Sequence, residues 1–222
     1  MTDLWAVLLP ILLADVLNPV LFAFMVYAVG TDRPVINPLA ALTGHTIAYL
    51  TFGILLALAF ETISKRLDNP EPMDFGIGLV IGVLLLWAAW RSRGSQGEEK
   101  QEPRPGRLTP ARAFGIGAVI NIIGLPFALP YFAALDQILK ADLSAAGATL
   151  VIVGYNLGYA LPFLVIPVLA IALGERSRPV LARINQKVDR ASAILMPLML
   201  GLVGIALVAD AVAYFATGKG LF

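Results

Sequence analysis

The sequence predicts an all-α integral membrane protein with six transmembrane helices, arranged as a 3+3 inverted repeat with both termini outside. The first observation is composition: 59% of the 222 residues are hydrophobic, 14% are charged, and mean hydropathy is +0.82. A soluble domain has about 45–50% apolar and about 25% charged residues. The other two observations are the spacing of the charge-free stretches and a similarity between the halves of the chain.

Six stretches are nearly free of charge, and all but one are at least as long as the roughly 20 residues that a helix needs to cross a bilayer core. They cover residues 4–30, 35–60, 75–90, 113–135, 145–174 and 191–215. The third is the shortest, at about 16 residues, near the lower limit for a span. Because Asp3 precedes the first stretch, we expect a retained helix there rather than a cleaved signal peptide.

The basic residues segregate between the two sides that these spans define. Alternate connecting segments must share a side, which places 12 Lys and Arg residues on one side and 4 on the other. The side richer in Lys and Arg is normally cytoplasmic. The sequence therefore predicts that both termini face outward, and five or seven spans would remove this segregation.

Short motifs recur in the two halves of the chain. The segment 43–49 (TGHTIAY) aligns with 153–159 (VGYNLGY), and 17–19 (LNP) aligns with 124–126 (GLP), at offsets of 110 and 107. A repeat of three spans, an odd number, must insert its second copy upside down, as in many secondary transporters. We expect repeats at residues 1–90 and 113–222; chance similarity between apolar helices is the alternative.

Two segments lie outside the spans. Residues 91–112 are rich in Gly, Pro and charge, which predicts a solvated cytoplasmic linker. Residues 175–190 place Val180, Leu181, Ile184 and Val188 on one helical face and basic residues elsewhere. This pattern predicts an amphipathic helix on the inner leaflet, with membrane lipids as partners.

Polar residues flank proline in the first span of each predicted half. Asp15 and Asn18 precede Pro19 in one, and Asn121 precedes Pro126 in the other. Proline removes a backbone donor, and the carbonyls that it frees in lipid must be satisfied inside the protein. These positions indicate a central site or gate, with structural kinks as the alternative.

Asp15 is the sharpest candidate, because a carboxyl group deep in a span is costly and normally faces the protein interior. We expect it to carry a proton or cation; a structural hydrogen bond is the alternative. His45, one turn before Tyr49, is a candidate proton-sensitive residue. The sequence does not establish whether Asp15 and His45 meet. Symmetry adds three further residues to the opposite wall, namely Tyr155, Asn156 and Tyr159.

Several functions are excluded or disfavoured. The chain has no cysteine and one histidine, which excludes disulfides, thiolate metal sites and histidine clusters within one chain. The near-neutral charge disfavours nucleic-acid binding. No nucleotide-binding or hydrolase motif occurs, so we expect neither an enzyme nor a bound cofactor or metal.

One run resembles a known family. Residues 124–135 (GLPFALPYFAAL), followed by 154–156 (GYN) and 174–176 (GER), are similar to the GAP (Sap) family of glycopeptidolipid- and sulfolipid-addressing proteins, within the lysine exporter (LysE) superfamily. The resemblance implies a multi-pass protein of the bacterial plasma membrane, linked to outward movement of glycolipid or another small metabolite. It supplies no substrate residues, and the superfamily's electron carriers need cysteines that are absent here.

The leading hypothesis is a gradient-driven secondary transporter that exports a lipid-linked or small-molecule substrate. Its pathway would be lined by Asp15, Asn18, Pro19, His45, Tyr49, Asn121, Pro126, Tyr155, Asn156 and Tyr159. The alternative is a membrane scaffold that assembles a glycolipid export complex without transporting. A chain of 222 residues makes a thin bundle, so a homodimer is a further expectation.

Overall fold

The computed structural model describes residues 2–68, 71–94, 108–123, 128–141 and 143–221, and all regular elements within them are helices. In chain order they are α1 Thr2–Asp15, α2 Pro19–Val29, α3 Ile36–Asp68, α4 Pro72–Gly94, α5 Pro110–Ile123, α6 Leu129–Lys140, α7 Ala145–Phe163, α8 Val165–Leu173 and α9 Ser177–Thr217, with a 3-10 helix at Gly174–Arg176 before α9. The predicted all-α class is confirmed for this part of the chain.

The first predicted span is broken at Pro19. α1 ends at Asp15, α2 begins at Pro19, and the two are bent by 56°. Asn18 has an extended backbone, and its side-chain oxygen accepts hydrogen bonds from the amides of Val20 and Leu21, at 3.1 Å each. A polar cap followed by proline in the first turn is a strong start signal for a helix. The sequence therefore stops one helix and starts another here.

The described residues contain four segments long and apolar enough to cross a membrane, or five if the bent pair α1–α2 counts as one span. The four are Ile36–Ala59, Pro72–Arg91, Ala145–Ala191 and Pro197–Thr217. The predicted fourth span would run from α5 into α6. Residues 124–127 between those helices, with Pro126, lie outside the described residues.

The two segments predicted to flank the spans are described to different extents. Of residues 91–112, positions 95–107 lie outside the described residues. The predicted amphipathic segment 175–190 forms the 3-10 turn and the start of α9. Its Leu181 is buried, and Ile184 and Val188 pack against the hydrophobic core of the protein. The apolar face of this segment therefore packs on protein.

The chain folds into two compact units. The first comprises Met1–Ala59 and Gln101–Arg190, and the second comprises Phe60–Lys100 and Ala191–Phe222. Each predicted repeat contributes to both units, since its first two spans fall in the first unit and its third span in the second.

Contacts among the helices of the first unit hold it together. α1 packs against α6 and α7, and α2 packs against α5 and α8. α3 and α5 cross so closely that a Cβ at Gly44 would collide with the Phe114 backbone, and one at Gly117 with the Ala41 backbone. Small residues at such crossings let membrane helices approach backbone to backbone.

The second unit contains α4 and the later part of α9. A Cβ on Gly204 would lie 2.9 Å from the carbonyl oxygen of Gly82, so these two helices also meet at glycines. The rings of Phe75 and Tyr214 stack with centroids 3.8 Å apart. Asp210 accepts a hydrogen bond from the amide of Leu221, which fastens the end of the chain to α9.

Candidate functional site

Asp15 lies in the first unit, at the end of α1. Its side chain is 2% exposed, and among the acidic side chains that the structure describes it alone is buried. The hydroxyl of Tyr49 on α3 donates to its Oδ1 at 3.0 Å, and the hydroxyl of Tyr155 on α7 donates to its Oδ2 at 3.0 Å. The broken first span thus places a carboxyl group where hydroxyls from two other helices reach it.

A second pair of hydrogen bonds lies beside the first. The hydroxyl of Tyr131, at the start of α6, donates to the backbone carbonyl of Tyr49 at 3.1 Å. Asn156 on α7 donates through Nδ2 to the Tyr131 hydroxyl at 2.9 Å and to the carbonyl of Ile152 at 2.9 Å. Tyr131 therefore connects α6 to both α3 and α7.

These bonds close a ring, which we call the four-helix ring, through α1, α3, α6 and α7. Its members are Asp15, Tyr49, Tyr131, Tyr155 and Asn156, and all are buried. Asp15 joins α1 to α3 and α7, and Tyr131 joins α6 to the same two helices. Buried hydrogen bonds that link several helices help to fix the relative positions of those helices.

Contacts between aromatic side chains connect the four-helix ring to His45. The imidazole stacks on Tyr159 with centroids 5.3 Å apart and is tilted against Tyr49 at 5.2 Å. The side chain of Asn121 on α5 donates to the His45 carbonyl at 3.2 Å. His45 thus contacts Tyr49 through its ring, while the Tyr49 hydroxyl reaches Asp15.

Several polar atoms on α3, α5 and α7 are buried without a hydrogen bond of ordinary geometry to the described residues. They are Nδ1 and Nε2 of His45, Oγ1 of Thr46, Oδ1 of Asn121, Oδ1 of Asn156 and the hydroxyl of Tyr159. The Gly117 backbone faces the imidazole, and Asn18 faces the Tyr159 hydroxyl. Buried polar atoms normally have partners, so these atoms can bind a polar group that enters the site.

The electrostatics of the site are set by one carboxyl group. Within the described ranges, no Lys or Arg forms an ion pair with Asp15, and no three His, Cys, Asp or Glu side chains come together as a metal ion would require. The arrangement can hold a proton or a cation on Asp15 and can offer hydroxyl, amide and imidazole groups to a polar ligand.

The structure brings most of the sequence-predicted residues together. Seven of them have buried side chains in this region: Asp15, Asn18, His45, Tyr49, Tyr155, Asn156 and Tyr159. Pro19 is buried at the helix break, and Asn121 is half-buried beside His45. Pro126 lies outside the described residues. Asp15 and His45 share no hydrogen bond; Tyr49 lies between them.

Sequence reasoning missed two contributors to the site, Tyr131 and Gly53, and one buried polar residue elsewhere in the first unit, Asn37. Tyr131 completes the four-helix ring, and its position just after Pro130 in a predicted broken span was an available signal. Gly53 makes room for the Tyr131 hydroxyl, which a Cβ there would meet. Asn37 is fully buried and donates to Thr31 at 2.8 Å and to the Leu108 carbonyl at 2.9 Å. No sequence pattern indicated the last two.

Comparison with known proteins gives one match. The family model described as Sap, sulfolipid-1-addressing protein, matches residues 8–213, which include every residue of the site. Neither the curated proteins nor the solved structures contain a significant match to the chain.

Proposed function

The chain belongs to the Sap (sulfolipid-1-addressing protein) family, and on that premise we propose that it is a secondary membrane transporter that exports a lipid-linked or small metabolite. The observation that carries the proposal is the buried Asp15 carboxyl at the break of the first span, held by tyrosine hydroxyls from α3 and α7. Asp15 takes up and releases the coupling proton or cation, and the broken helices gate access to it.

The energetics favour a carrier role for Asp15. An ionised carboxylate inside a membrane protein is costly unless it is paired, and no basic side chain that the structure describes pairs with Asp15. Asp15 also lies at the carbonyl end of α1, where the helix dipole is unfavourable to a negative charge. A proton or cation therefore accompanies Asp15 when the site is closed, and movement of that species is the coupling step.

We propose six spans, built as an inverted repeat of residues 1–90 and 113–222. Two pairs of contacts support the repeat. α1 packs on α6 while α2 packs on α5, which is the exchange expected if α1 corresponds to α5 and α2 to α6. Gly44 of α3 faces Phe114 of α5, and Gly154 of α7 faces Trp5 of α1.

We propose a bacterial plasma-membrane location with both termini outside. The hydrogen bond from Asn37 to the Leu108 carbonyl supports this topology, because it joins the start of the second span, which follows the Arg33 segment, to the 91–112 segment, and the charge distribution assigns both segments to the cytoplasm.

The natural sequence lacks cysteine, so single cysteines report topology without background. In intact cells a membrane-impermeant maleimide is expected to label Lys140→Cys and Lys219→Cys from outside, and Asp32→Cys only after lysis. Labelling of Asp32→Cys in unlysed cells would contradict the topology.

The second candidate function is a scaffold that recruits other export proteins without transporting. The exposed basic side chains Arg183, Lys187 and Arg190 at the start of α9 favour it, because they form a cationic surface on a helix whose apolar face is already packed. Such a surface suits an acidic partner or anionic lipid headgroups.

Reconstitution separates the two functions. The purified chain is placed alone in vesicles loaded with a total lipid and metabolite extract of the host cell, and the species that leave are identified by mass spectrometry. The transporter proposal expects efflux of a defined species under an imposed proton or sodium gradient, absent from protein-free vesicles. No efflux under either gradient, combined with co-purification of a synthase or pump, would support the scaffold instead.

A further inference from the structure

We propose that Tyr131 is a positioning residue of the Asp15 site, and that Gly53 is the glycine that admits it. Tyr131 does not touch Asp15. It holds Tyr49, which in turn donates to Asp15. The inference relies on the proposed function only in treating Asp15 as the working group of the site.

Tyr131 holds Tyr49 at two points. Its hydroxyl donates to the Tyr49 carbonyl at 3.1 Å, and its ring stacks on the Tyr49 ring with centroids 4.0 Å apart and planes 24° apart. Both tyrosines are buried. Because the backbone and the ring of Tyr49 are both constrained, its hydroxyl is kept directed at the Asp15 carboxyl.

Gly53 explains how a side chain reaches a carbonyl inside a helix. In an α-helix the carbonyl of residue 49 points toward the amide of residue 53, and the side chain at 53 leans back over it. A Cβ on Gly53 would collide with the Tyr131 hydroxyl. The missing side chain therefore opens the slot into which this hydroxyl fits.

The two groups that hydrogen-bond to the Tyr131 hydroxyl keep other partners when this hydroxyl is removed. Asn156 Nδ2 also donates to the Ile152 carbonyl at 2.9 Å, and the Tyr49 carbonyl keeps its place in α3. Tyr131→Phe also retains the ring. We therefore expect this variant to fold, but the two hydrogen bonds that the Tyr131 hydroxyl contributes to the four-helix ring are lost.

The test is infrared spectroscopy of the purified full chain, which reads the Asp15 carboxyl without requiring transport. The Asp15 signal is the part of the carboxyl spectrum that Asp15→Asn removes. Tyr131→Phe and Gly53→Ala are each expected to shift it measurably, and the double variant to shift it no further than the larger single shift. Gly115→Ala is the matched control, because a Cβ there meets open space in another helix of the same unit.

Gly53→Ala makes the test demanding: because alanine is the better helix former, a defect at this position reports the collision with the Tyr131 hydroxyl and not a weaker helix. An unshifted Asp15 signal in correctly folded Tyr131→Phe would overturn the inference, whether or not Gly53→Ala folds. Additive shifts in the double variant would do the same. A shifted signal in a protein that moves nothing in vesicles leaves this inference standing and removes only the proposed function.

Discussion

The two compact units of this chain bury different kinds of side chain. Every buried polar side chain among the described residues belongs to the first unit: Asp15, Asn18, Thr31, Asn37, His45, Asn156 and Ser177. Among the side chains that the structure describes in the second unit, the buried ones are apolar, such as Phe75 and Leu200, and the carboxyl group of Asp210 is half-buried. Both units nevertheless use glycine to bring helices together.

This comparison distinguishes the residues that allow close helix packing from those that make up the candidate site. Glycine crossings provide close helix packing in lipid at little polar cost, and both units need them. Buried polar groups are expensive in a membrane protein and persist where they do something. The first unit is therefore the part to which we assign the transport site, and the four predictions below test that division.

Glycine substitutions should give the largest loss of stability, graded by what each new methyl group meets. Gly44→Ala collides with the backbone of Phe114, which cannot move aside cheaply, so we expect a loss of about 1–3 kcal/mol. Gly82→Ala meets a Val208 methyl group at 2.9 Å, the Gly204 carbonyl oxygen at 3.0 Å and the Leu207 Cβ at 3.1 Å, which is less close than the approach at Gly44, and should cost less. Gly76→Ala meets nothing within 4 Å. Melting temperatures in detergent should fall in that order, and equal values for Gly44→Ala and Gly76→Ala would contradict the close crossing.

Loss of the cap at the helix break should have the next largest effect. Asn18→Ala frees two backbone amides at the start of α2, and we expect it to cost about 1–2 kcal/mol. Ser144→Ala is the control, since it removes a cap that accepts from one exposed amide, that of Gly147. Thermal unfolding of both variants is the measurement; a larger loss for Ser144→Ala would show that the break is not held by Asn18.

Removal of one hydroxyl from the four-helix ring should have a smaller effect on stability and a visible one on transport. Tyr155→Phe removes a donor to Asp15, and we expect about 0.5–1.5 kcal/mol of destabilisation with reduced efflux from vesicles. Tyr27→Phe, at a half-buried tyrosine whose ring is tilted against Phe24, is the matched control. Unchanged efflux in Tyr155→Phe would weaken the assignment of the ring to transport.

The smallest effect is expected at Asp210, a carboxyl residue of the second unit. Asp210→Asn keeps an oxygen acceptor for the Leu221 amide, so stability should change by no more than about 0.5 kcal/mol. Efflux should be unchanged, because this carboxyl lies outside the unit that holds the site. A loss of efflux in this variant, measured beside the wild type, would remove the distinction between the units.

Local rules were enough to predict part of the site from the sequence. Asn18 and Pro19 indicate a helix start inside a span, and the break places Asp15 in the interior. The spacing of His45 and Tyr49, repeated by Tyr155 and Tyr159, puts each pair on one helix face. These inferences need only the periodicity of a helix and the cost of polar groups in lipid.

Long-range geometry could not be predicted in the same way. The role of Tyr131 depends on α6 meeting both α3 and α7, and the role of Gly53 depends on a hydroxyl from another helix reaching the Tyr49 carbonyl. The number of spans is likewise partly predicted: four to five are found in the described residues where the charge pattern predicts six. Contacts between helices far apart in sequence produce no periodic pattern in the sequence of either helix.

The central claim is that Asp15 carries the coupling species, and net efflux from vesicles containing Asp15→Asn tests it most directly. Asparagine keeps the size of the side chain and one oxygen acceptor for the tyrosine hydroxyls, with an NH2 group in place of the other oxygen, but cannot exchange a proton or hold a cation by charge. We predict that gradient-driven efflux disappears in Asp15→Asn while Asp210→Asn matches the wild type. Wild-type efflux from correctly folded Asp15→Asn would contradict the account.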